Sequence, residues 1–366
     1  MPSATRPDRH ALARLHRLAS LEAGGMQLIE PVLQELRRVV GFDFGCMLYP
    51  GSDGELMNYA QEPMQSVAQD YFDARILRSE RQVLVRSPRD FAEVVRHEHG
   101  PRLMREHMAV SMAELQRSDY YEAVMRATGA KDYMSLVLRT PQGIGLGVIH
   151  LFRDAATGFS AQDAALLARL EAHLARALQE GERDAEGSEV HSQGVLVATP
   201  QGRMMWLSPE AETLMPQAFG WGWRRGAQLP PALQELLRRL NAQQPEQPEQ
   251  MALPTMELLT AQGRFSLRAT HLAPAPEARQ DRQAVALHIT RRVARGVRLL
   301  SALQRLGLPQ RQHELAWWLA RGLPESQIAQ RMGISLNTAV YHRRQLYNRL
   351  GVMGREELLA QIGGKA

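Results

Sequence analysis

The chain has 366 residues, enough for two or three domains, and carries 44 Lys or Arg against 39 Asp or Glu, a net charge of +5. Its single cysteine, Cys46, excludes an intramolecular disulfide framework and a multi-cysteine metal site, and it is typical of a cytoplasmic protein. The amino end lacks the apolar core of a signal peptide and no later run approaches 18 apolar residues, so we expect no membrane anchor.

The positive charge is concentrated at the carboxyl end. Residues 300–366 contain nine Lys or Arg against four Glu, whereas the other 299 residues carry 35 charges of each sign. Because basic segments of nucleic-acid-binding proteins neutralise phosphates, this distribution predicts a DNA-binding end.

The first 180 residues alternate between helical and strand patterns. The predicted elements, in order, are a polar lead or helix start over 1–20, an amphipathic helix over 27–40, two strands around the turn at 50–54, a helix-prone stretch over 64–127, strands at 133–139 and 145–152, and a helix over 159–179. This order predicts an α+β domain, in which helices flank an antiparallel sheet.

Three sequence runs in this region carry a family resemblance. They are S-D-Y-Y-E-x-V-M-R-x-T-G from Ser118, G-L-G-V-I-H-L-F-R from Gly145, and F-S-x-x-D-x-x-L-L from Phe159. The segment 1–180 thereby resembles the GAF-like sensor domains that precede LuxR-type output domains. The resemblance implies a ligand pocket between sheet and helices, but it names no ligand.

A charged stretch at 180–192 with two glycines predicts a linker to a second domain over 190–290. Strands are predicted at 194–198, 203–207, 256–259, 264–272 and 283–290, with a helix capped by Ser208 after the second strand and a solvated loop from Gln243 to Gln250. The order is similar to the opening of a PAS domain and predicts a five-stranded sheet with helices on one face.

Residues 291–306 have apolar positions at helical spacing, namely Val293, Val297, Leu300, Leu303 and Leu306. Two interpretations are open, because a stripe of fewer than three heptads does not distinguish a coiled coil from a helix packed within its own chain. The segment is a signalling helix that pairs between subunits, or it packs on the PAS-like sheet.

The last segment, 307–366, predicts an all-α domain of four short helices separated by Gly-containing turns. At 100° per residue, the third helix turns Ala339, His342, Leu346 and Leu350 inward. The opposite side has no acidic residue and offers side chains suited to base edges in a major groove: Asn337, Val340, Tyr341, Arg344, Gln345 and Asn348. The predicted DNA-contact set is these six residues together with Thr338 and Arg343.

Four motifs make this segment resemble the LuxR/NarL-type DNA-binding domain. They are E-L-A-x-x-L-A-R-G-L from Glu314, Q-I-A-x-R-M-G-I-S from Gln327, N-T-A-x-x-H-R from Asn337 and R-L-G-V from Arg349. The resemblance implies that the second and third helices form a helix-turn-helix, that the third enters the major groove, and that the fourth often dimerises. Val340 stands where the family often has Lys or Arg, and Ala339 replaces a common Val.

Several other residue clusters favour structural interpretations. His97, Glu98, His99 and His107 lack a completing ligand, so we predict no metal site. Cys46 is expected to be a buried thiol, with redox sensing or a contact in a ligand pocket as the alternatives. We expect Trp206, Trp221, Trp223 and Phe219 to pack rather than to line a ligand pocket. No catalytic motif is present, which predicts a protein that is not an enzyme.

The sequence therefore predicts two α+β sensor domains followed by a four-helix LuxR-type domain. The expected protein is a cytoplasmic, homodimeric transcription regulator whose partners are double-stranded DNA and a small-molecule effector in the GAF-like or PAS-like domain, with no cofactor. In the alternative, the sensor domains bind a protein partner or respond to redox at Cys46.

Overall fold

The computed structural model describes residues 9–20, 25–51, 54, 56–68, 71, 73–155, 157–179, 188–223, 226, 228–242, 253–273 and 283–363. Residues 189–293 join the amino-terminal residues in one compact unit, and the residues from 294 onward form another. The predicted loop from Gln243 to Gln250 and positions 180–187 of the predicted linker lie outside the described residues.

The first module of the amino-terminal unit contains a five-stranded antiparallel sheet. Its strands are β1 Phe44–Pro50, β2 Leu56–Ala60, β3 Pro101–Leu103, β4 Asp132–Arg139 and β5 Gly145–Arg153, in the order β2-β1-β5-β4-β3. Its helices are α1 Arg9–Ser20, α2 Ile29–Val40, α3 Met64–Val67, α4 Ala74–Val83, α5 Phe91–His97, α6 Met104–His107, α7 Met112–Leu115, α8 Ala161–Ala168 and α9 Glu171–Leu178, with a 3-10 turn at Gly25–Leu28 and a π-helical turn at Tyr121–Arg126.

Both faces of this sheet are covered, so the central strands are buried almost throughout their length. On one face α1, α2 and α9 pack together, and Gly45 lies so close to α2 that a Cβ would come within 3.2 Å of Leu33 Cδ2. On the other face the segment 64–126 contributes Tyr120 and Val124 to a core shared with Phe152.

Two details of the first module differ from the sequence prediction. The helix expected over 159–179 is divided into α8 and α9, because the chain tightens at residues 169–170 with no Gly or Pro to mark the break. The stretch 64–127 is mostly helical but contains β3, which begins with Pro101 and pairs only with β4 at the sheet edge. A proline lacks an N–H for the ladder and is compatible with an edge strand.

The second module contains another five-stranded antiparallel sheet, which confirms the predicted strand count. Its strands are β6 Ser188–Ala198, β7 Met204–Leu207, β8 Thr255–Thr260, β9 Gly263–Leu272 and β10 Ala284–Ala294, and its helices are α10 Pro209–Phe219 and α11 Pro231–Ala242, with a 3-10 turn at Gly220–Gly222. The order β7-β6-β10-β9-β8 repeats the connectivity of the first sheet. Residues 188–192, predicted as linker, belong to β6.

One face of the second sheet packs on helices. Alternate residues such as Phe265, Leu267 and Ile289 share a core with α10 and α11, and Ser208 caps α10 as predicted, accepting the N–H of Ala211. The opposite face carries Trp206 with 63% of its surface exposed.

The two modules touch where the edge of the first sheet meets turns of the second. The Tyr49 hydroxyl accepts the backbone N–H of Ala261 at 2.8 Å. Nearby, Asn58 on β2 lies against Gly220, which has a φ of +51°. A Cβ at Gly220 would stand 2.7 Å from Asn58 Oδ1. Glycine is therefore favoured here for two reasons: its positive φ, and the lack of space for a side chain beside Asn58.

The carboxyl-terminal unit is all helical in its described residues. Its helices are α12 Arg295–Arg305, α13 Gln310–Ala320, α14 Glu325–Met332, α15 Leu336–Leu350 and α16 Arg355–Gly363. The helix predicted over 291–306 begins only at Arg295, because Arg291 and Arg292 still pair with β9. Leu300 and Leu303 are buried, and α12 packs on α13 and α16, a contact that neither sequence interpretation foresaw.

Over the described parts of the chain, no helix combines the length and the apolar surface needed to cross a bilayer.

Substitution of Gly220 tests the contact between the modules. We expect Gly220→Ala to lower the free energy of unfolding by about 2 kcal/mol, since alanine is strained at this φ and its Cβ meets Asn58. Chemical denaturation of Gly220→Ala, Asn58→Ala and the double variant should show that Asn58→Ala removes the steric part of the loss. Gly222→Ala is the control, because a Cβ there meets no described atom within 4 Å. Equal losses at Gly220 and Gly222 would contradict the assigned contact.

Candidate nucleic-acid interface and ligand pocket

Two short helices joined by a tight turn form the candidate nucleic-acid interface. α14 ends at Gly333, whose φ of +61° gives a left-handed cap, and α15 begins after Ser335, whose hydroxyl accepts the Thr338 N–H. A turn of three residues containing Gly between two packed helices is the geometry of a helix-turn-helix.

The packing of α15 determines which of its sides reaches solvent. Ala339 and Leu346 are completely buried, and α15 packs on both α13 and α14. Trp317 of α13 is fully buried as well. His342 and Leu350 are half-buried on the same side, as the helical spacing predicts. Trp318 is also buried, so neither tryptophan offers a surface for base stacking.

We call the opposite side the outer face of α15; it consists of Asn337, Val340, Tyr341, Arg344, Gln345 and Asn348. Five of these side chains are exposed and Val340 is half-buried. The helix contains no acidic residue. Tyr341 is 59% exposed, and its hydroxyl accepts a hydrogen bond from Gln345 Nε2 at 3.3 Å.

The polar groups of the outer face are largely uncommitted. Within the part of the chain that the structure describes, the side chains of Asn337, Arg344 and Asn348 have no hydrogen-bond or ion-pair partner. A free guanidinium and two free amides, with no neighbouring carboxylate on the helix, are suited to bidentate contacts with base edges and to phosphate contacts.

Two residues of the predicted DNA-contact set, Arg343 and Thr338, instead bind other side chains of the protein. Arg343 forms an ion pair with Glu325 in the first turn of α14, and its guanidinium lies 5.8 Å from the Tyr347 ring centroid. The Thr338 hydroxyl lies 2.8 Å from that of Ser335 in the cap of α15. These contacts join the two helices and the turn, and the sequence pattern of α15 alone did not indicate them.

A candidate ligand pocket lies in the first module, between the sheet and the segment 64–124. Its volume is about 60 Å³. Strands β1, β2 and β5 supply part of the wall, and the rest comes from α3, from the π-helical turn and from residues near them. Its polar lining residues are Asn58, Tyr71, Tyr120 and His150, together with the Cys46 thiol.

Burial keeps the titratable groups of this pocket neutral. It lowers the pKa of His150 to about 4, so the imidazole is uncharged at pH 7. It raises the pKa of the Cys46 thiol to about 12. Because oxidation chemistry proceeds through the thiolate, this setting is unfavourable for a redox-sensing cysteine.

The histidine-rich segment of the first module divides between surface and interior, since His97 and His99 are exposed whereas Glu98 and His107 are buried. Glu98 is 3% exposed, and its carboxylate lies 3.8 Å from His107 Nδ1 and 3.8 Å from an Arg102 nitrogen. Burial lowers the pKa of His107 to about 3, and its Nε2 lies 2.7 Å from the Ser135 hydroxyl. Among the described residues, no group of three His, Cys, Asp or Glu side chains is placed to hold a metal ion.

The aromatic residues predicted to pack in the second module are divided between its two faces. Phe219 and Trp223 are buried in the helix-covered core, whereas Trp206 lies exposed on the open sheet face. The side chain of Trp221 lies outside the described residues.

Solved structures give weak whole-chain similarities. CepR2 of Burkholderia cenocepacia, described as an N-acylhomoserine-lactone-dependent LuxR family transcription factor, is 15% identical, with 46% of this chain and 91% of that chain covered and a TM-score of 0.29. Escherichia coli SdiA is 12% identical over 97% of this chain and 94% of that chain, with a TM-score of 0.29. The Escherichia coli DhaR(N)–DhaL complex is 11% identical, with 78% of this chain and 91% of that chain covered and a TM-score of 0.25. Superpositions at these scores do not establish a shared overall fold.

The comparison with protein-family models gives a match within the carboxyl-terminal unit. No curated protein matches the chain. Residues 307–361 match the GerE family model, described as bacterial regulatory proteins of the luxR family. This span contains α13, α14 and α15 and most of α16, including the turn and the outer face of α15. The carboxyl-terminal unit of this chain therefore contains a LuxR-type helix-turn-helix domain.

Proposed function

We propose that this protein is a transcription regulator that binds duplex DNA through α15 and is controlled by a small molecule held in its amino-terminal unit. The observation that carries the proposal is the outer face of α15, which is exposed, free of acid and presented by a LuxR-type helix-turn-helix. An α-helix of this kind fits the major groove, where each base pair offers a distinct pattern of donors and acceptors.

The eight predicted residues fall into two groups: six contact DNA, and two hold the recognition helix in position. The outer face reads base edges and contacts phosphates, with Arg344 as the main candidate for a guanine. Thr338 and Arg343 hold α15 in place through the cap and through the ion pair with Glu325. Precise placement of a recognition helix matters, because bidentate contacts tolerate little displacement.

We assign the two sheet modules the role of GAF-like and PAS-like sensors. Two observations support this: the modules share one strand order, and the first has a pocket between its sheet and the segment that covers it. A homodimer would place two copies of α15 on half-sites about one helical turn apart, and ligand binding would change that spacing. Its chromosomal target would place the regulator in the bacterial cytoplasm.

The exposed Trp206 on the open sheet face favours a second candidate, in which the sensor unit binds a protein partner. Such a regulator would keep its salt-sensitive affinity for duplex DNA, whereas a protein-binding adaptor would have none. The high pKa of Cys46 gives the redox alternative less support.

Titration of the full-length protein with fluorescent duplexes over a range of salt concentrations tests the DNA-binding proposal. Selection from a randomised duplex pool first defines a preferred site. We expect log affinity to fall linearly with log salt, because phosphate contacts release counterions. An affinity that does not change with salt, or a pool that yields no preferred sequence, would contradict the proposal.

The variant Arg344→Ala should lose about 1–3 kcal/mol of specific binding and relax the preference at one base pair. Arg349→Ala is the matched control, since Arg349 is exposed on the same helix but lies about 100° around it from the centre of the outer face. Equal losses for Arg344→Ala on every duplex would identify Arg344 as a phosphate contact instead of a base reader.

The pair Arg343 and Glu325 is expected to stabilise the helix-turn-helix rather than contact DNA. Arg343→Gln and Glu325→Gln should each lower the free energy of unfolding by about 0.5–1 kcal/mol, and the double variant should lose little more than either single variant. Denaturant titrations measure this coupling, and DNA titrations should give unchanged salt slopes. If Arg343→Gln kept full stability while its salt slope fell by about one, Arg343 would be a phosphate contact.

A further inference from the structure

The described wall of the pocket in the first module is uncharged. None of the lining residues that the structure describes is Asp, Glu, Lys or Arg, and the imidazole and thiol that reach the pocket are neutral at pH 7. A charged ligand group would lose its hydration there without gaining a counter-charge, which costs several kcal/mol.

Among the described residues, the buried acid Glu80 lies behind a tyrosine of the pocket wall. Glu80 is completely buried and accepts hydrogen bonds from the hydroxyls of Tyr71 and Ser87. Arg89 lies 5.4 Å from the Tyr71 ring centroid on the same side. The Tyr71 hydroxyl is therefore committed to Glu80, and only the body of this side chain is available to a ligand.

Two other polar side chains of the wall lack such a partner. Tyr120 is 6% exposed and His150 is 7% exposed, and both line the pocket. In the described parts of the chain, neither the Tyr120 hydroxyl nor the His150 imidazole has a hydrogen-bond partner. A hydrogen bond in a largely buried site contributes about 0.5–1.5 kcal/mol, so a ligand that bonds to both groups gains affinity from them.

The remaining wall is apolar and narrow. Leu48, Ala60, Met64, Val124 and Phe152 contribute most of its apolar contacts. At about 60 Å³ the cavity is smaller than the ~150 Å³ cavity that accepts benzene in an engineered protein core. The ligand is consequently compact, and the flexible Met64 side chain must shift to admit it.

We propose that this pocket binds a compact, neutral, mostly apolar molecule whose single carbonyl, amide or hydroxyl group is held by Tyr120 and His150. The proposal rests on the proposed small-molecule control, and it specifies the class of molecule and the side chains that recognise it. The neutral imidazole donates from one ring nitrogen and accepts at the other, so it serves either a carbonyl or a hydroxyl.

Binding to the full-length protein is tested with three probes of similar shape, measured by calorimetry at pH 7. Benzamide is neutral and polar, benzoate carries a charge, and toluene has no hydrogen-bonding group. We expect benzamide to bind at least tenfold more tightly than benzoate. Tyr120→Phe should weaken benzamide about tenfold and leave toluene unchanged, because only the hydroxyl is removed.

Tyr121→Phe is the matched control, since Tyr121 is the next residue, is half-buried and does not line the pocket. It should leave the affinity for all three probes unchanged. Thermal denaturation of each free variant establishes that the replacement keeps the fold.

Three results would overturn the proposal: no binding of benzamide, equal binding of benzamide and benzoate, or equal effects of Tyr120→Phe and Tyr121→Phe. DNA titrations on the same samples separate this inference from the proposed function. Retained DNA binding without probe binding would reject only the ligand class, whereas probe binding without DNA binding would reject the regulator.

Discussion

The burial of one side of α15 against α13 and α14 is the contact on which the functional interpretation depends. Ala339 and Leu346 have no accessible surface, and Trp317 of α13 is also fully buried. Since a helix has a fixed angular period, burying these two positions forces Arg344 toward solvent. The ion pair of Arg343 with Glu325 adds a second constraint on the same helix, so its orientation is set by packing and by charge.

The two sheets of the amino-terminal unit share one strand order but differ in how their faces are covered. The first sheet is covered on both faces and encloses a pocket, whereas the second leaves one face to solvent. Asn58 belongs to the wall of that pocket and also lies against Gly220 of the second module. A molecule that displaces this wall residue would act directly on the contact between the modules, which offers a physical route for the proposed ligand control.

The sequence predicted features that depend on local periodicity, and it missed those that depend on long-range pairing. Helical spacing identified the buried and exposed sides of α15, and Ser208 was recognised as the cap of α10. β3 escaped detection because three residues beginning with a proline show no alternation. Tyr120 and His150 come from distant segments and line the same pocket because the segment that carries Tyr120 packs against the sheet, in the core that includes Phe152 of β5. No local sequence pattern predicts that these two distant residues line one pocket.

Photo-crosslinking tests the exposed face of α15 most directly. The residue p-benzoylphenylalanine is placed at position 341 in one sample and at position 206 in another, because Tyr341 and Trp206 are exposed aromatics of 59% and 63%. Irradiation with the selected duplex should give a covalent DNA adduct from position 341, with the crosslinked base inside the preferred site, and none from position 206. An adduct only from position 206, or equal adducts from both on any duplex, would contradict the assignment of α15 as the DNA-reading helix.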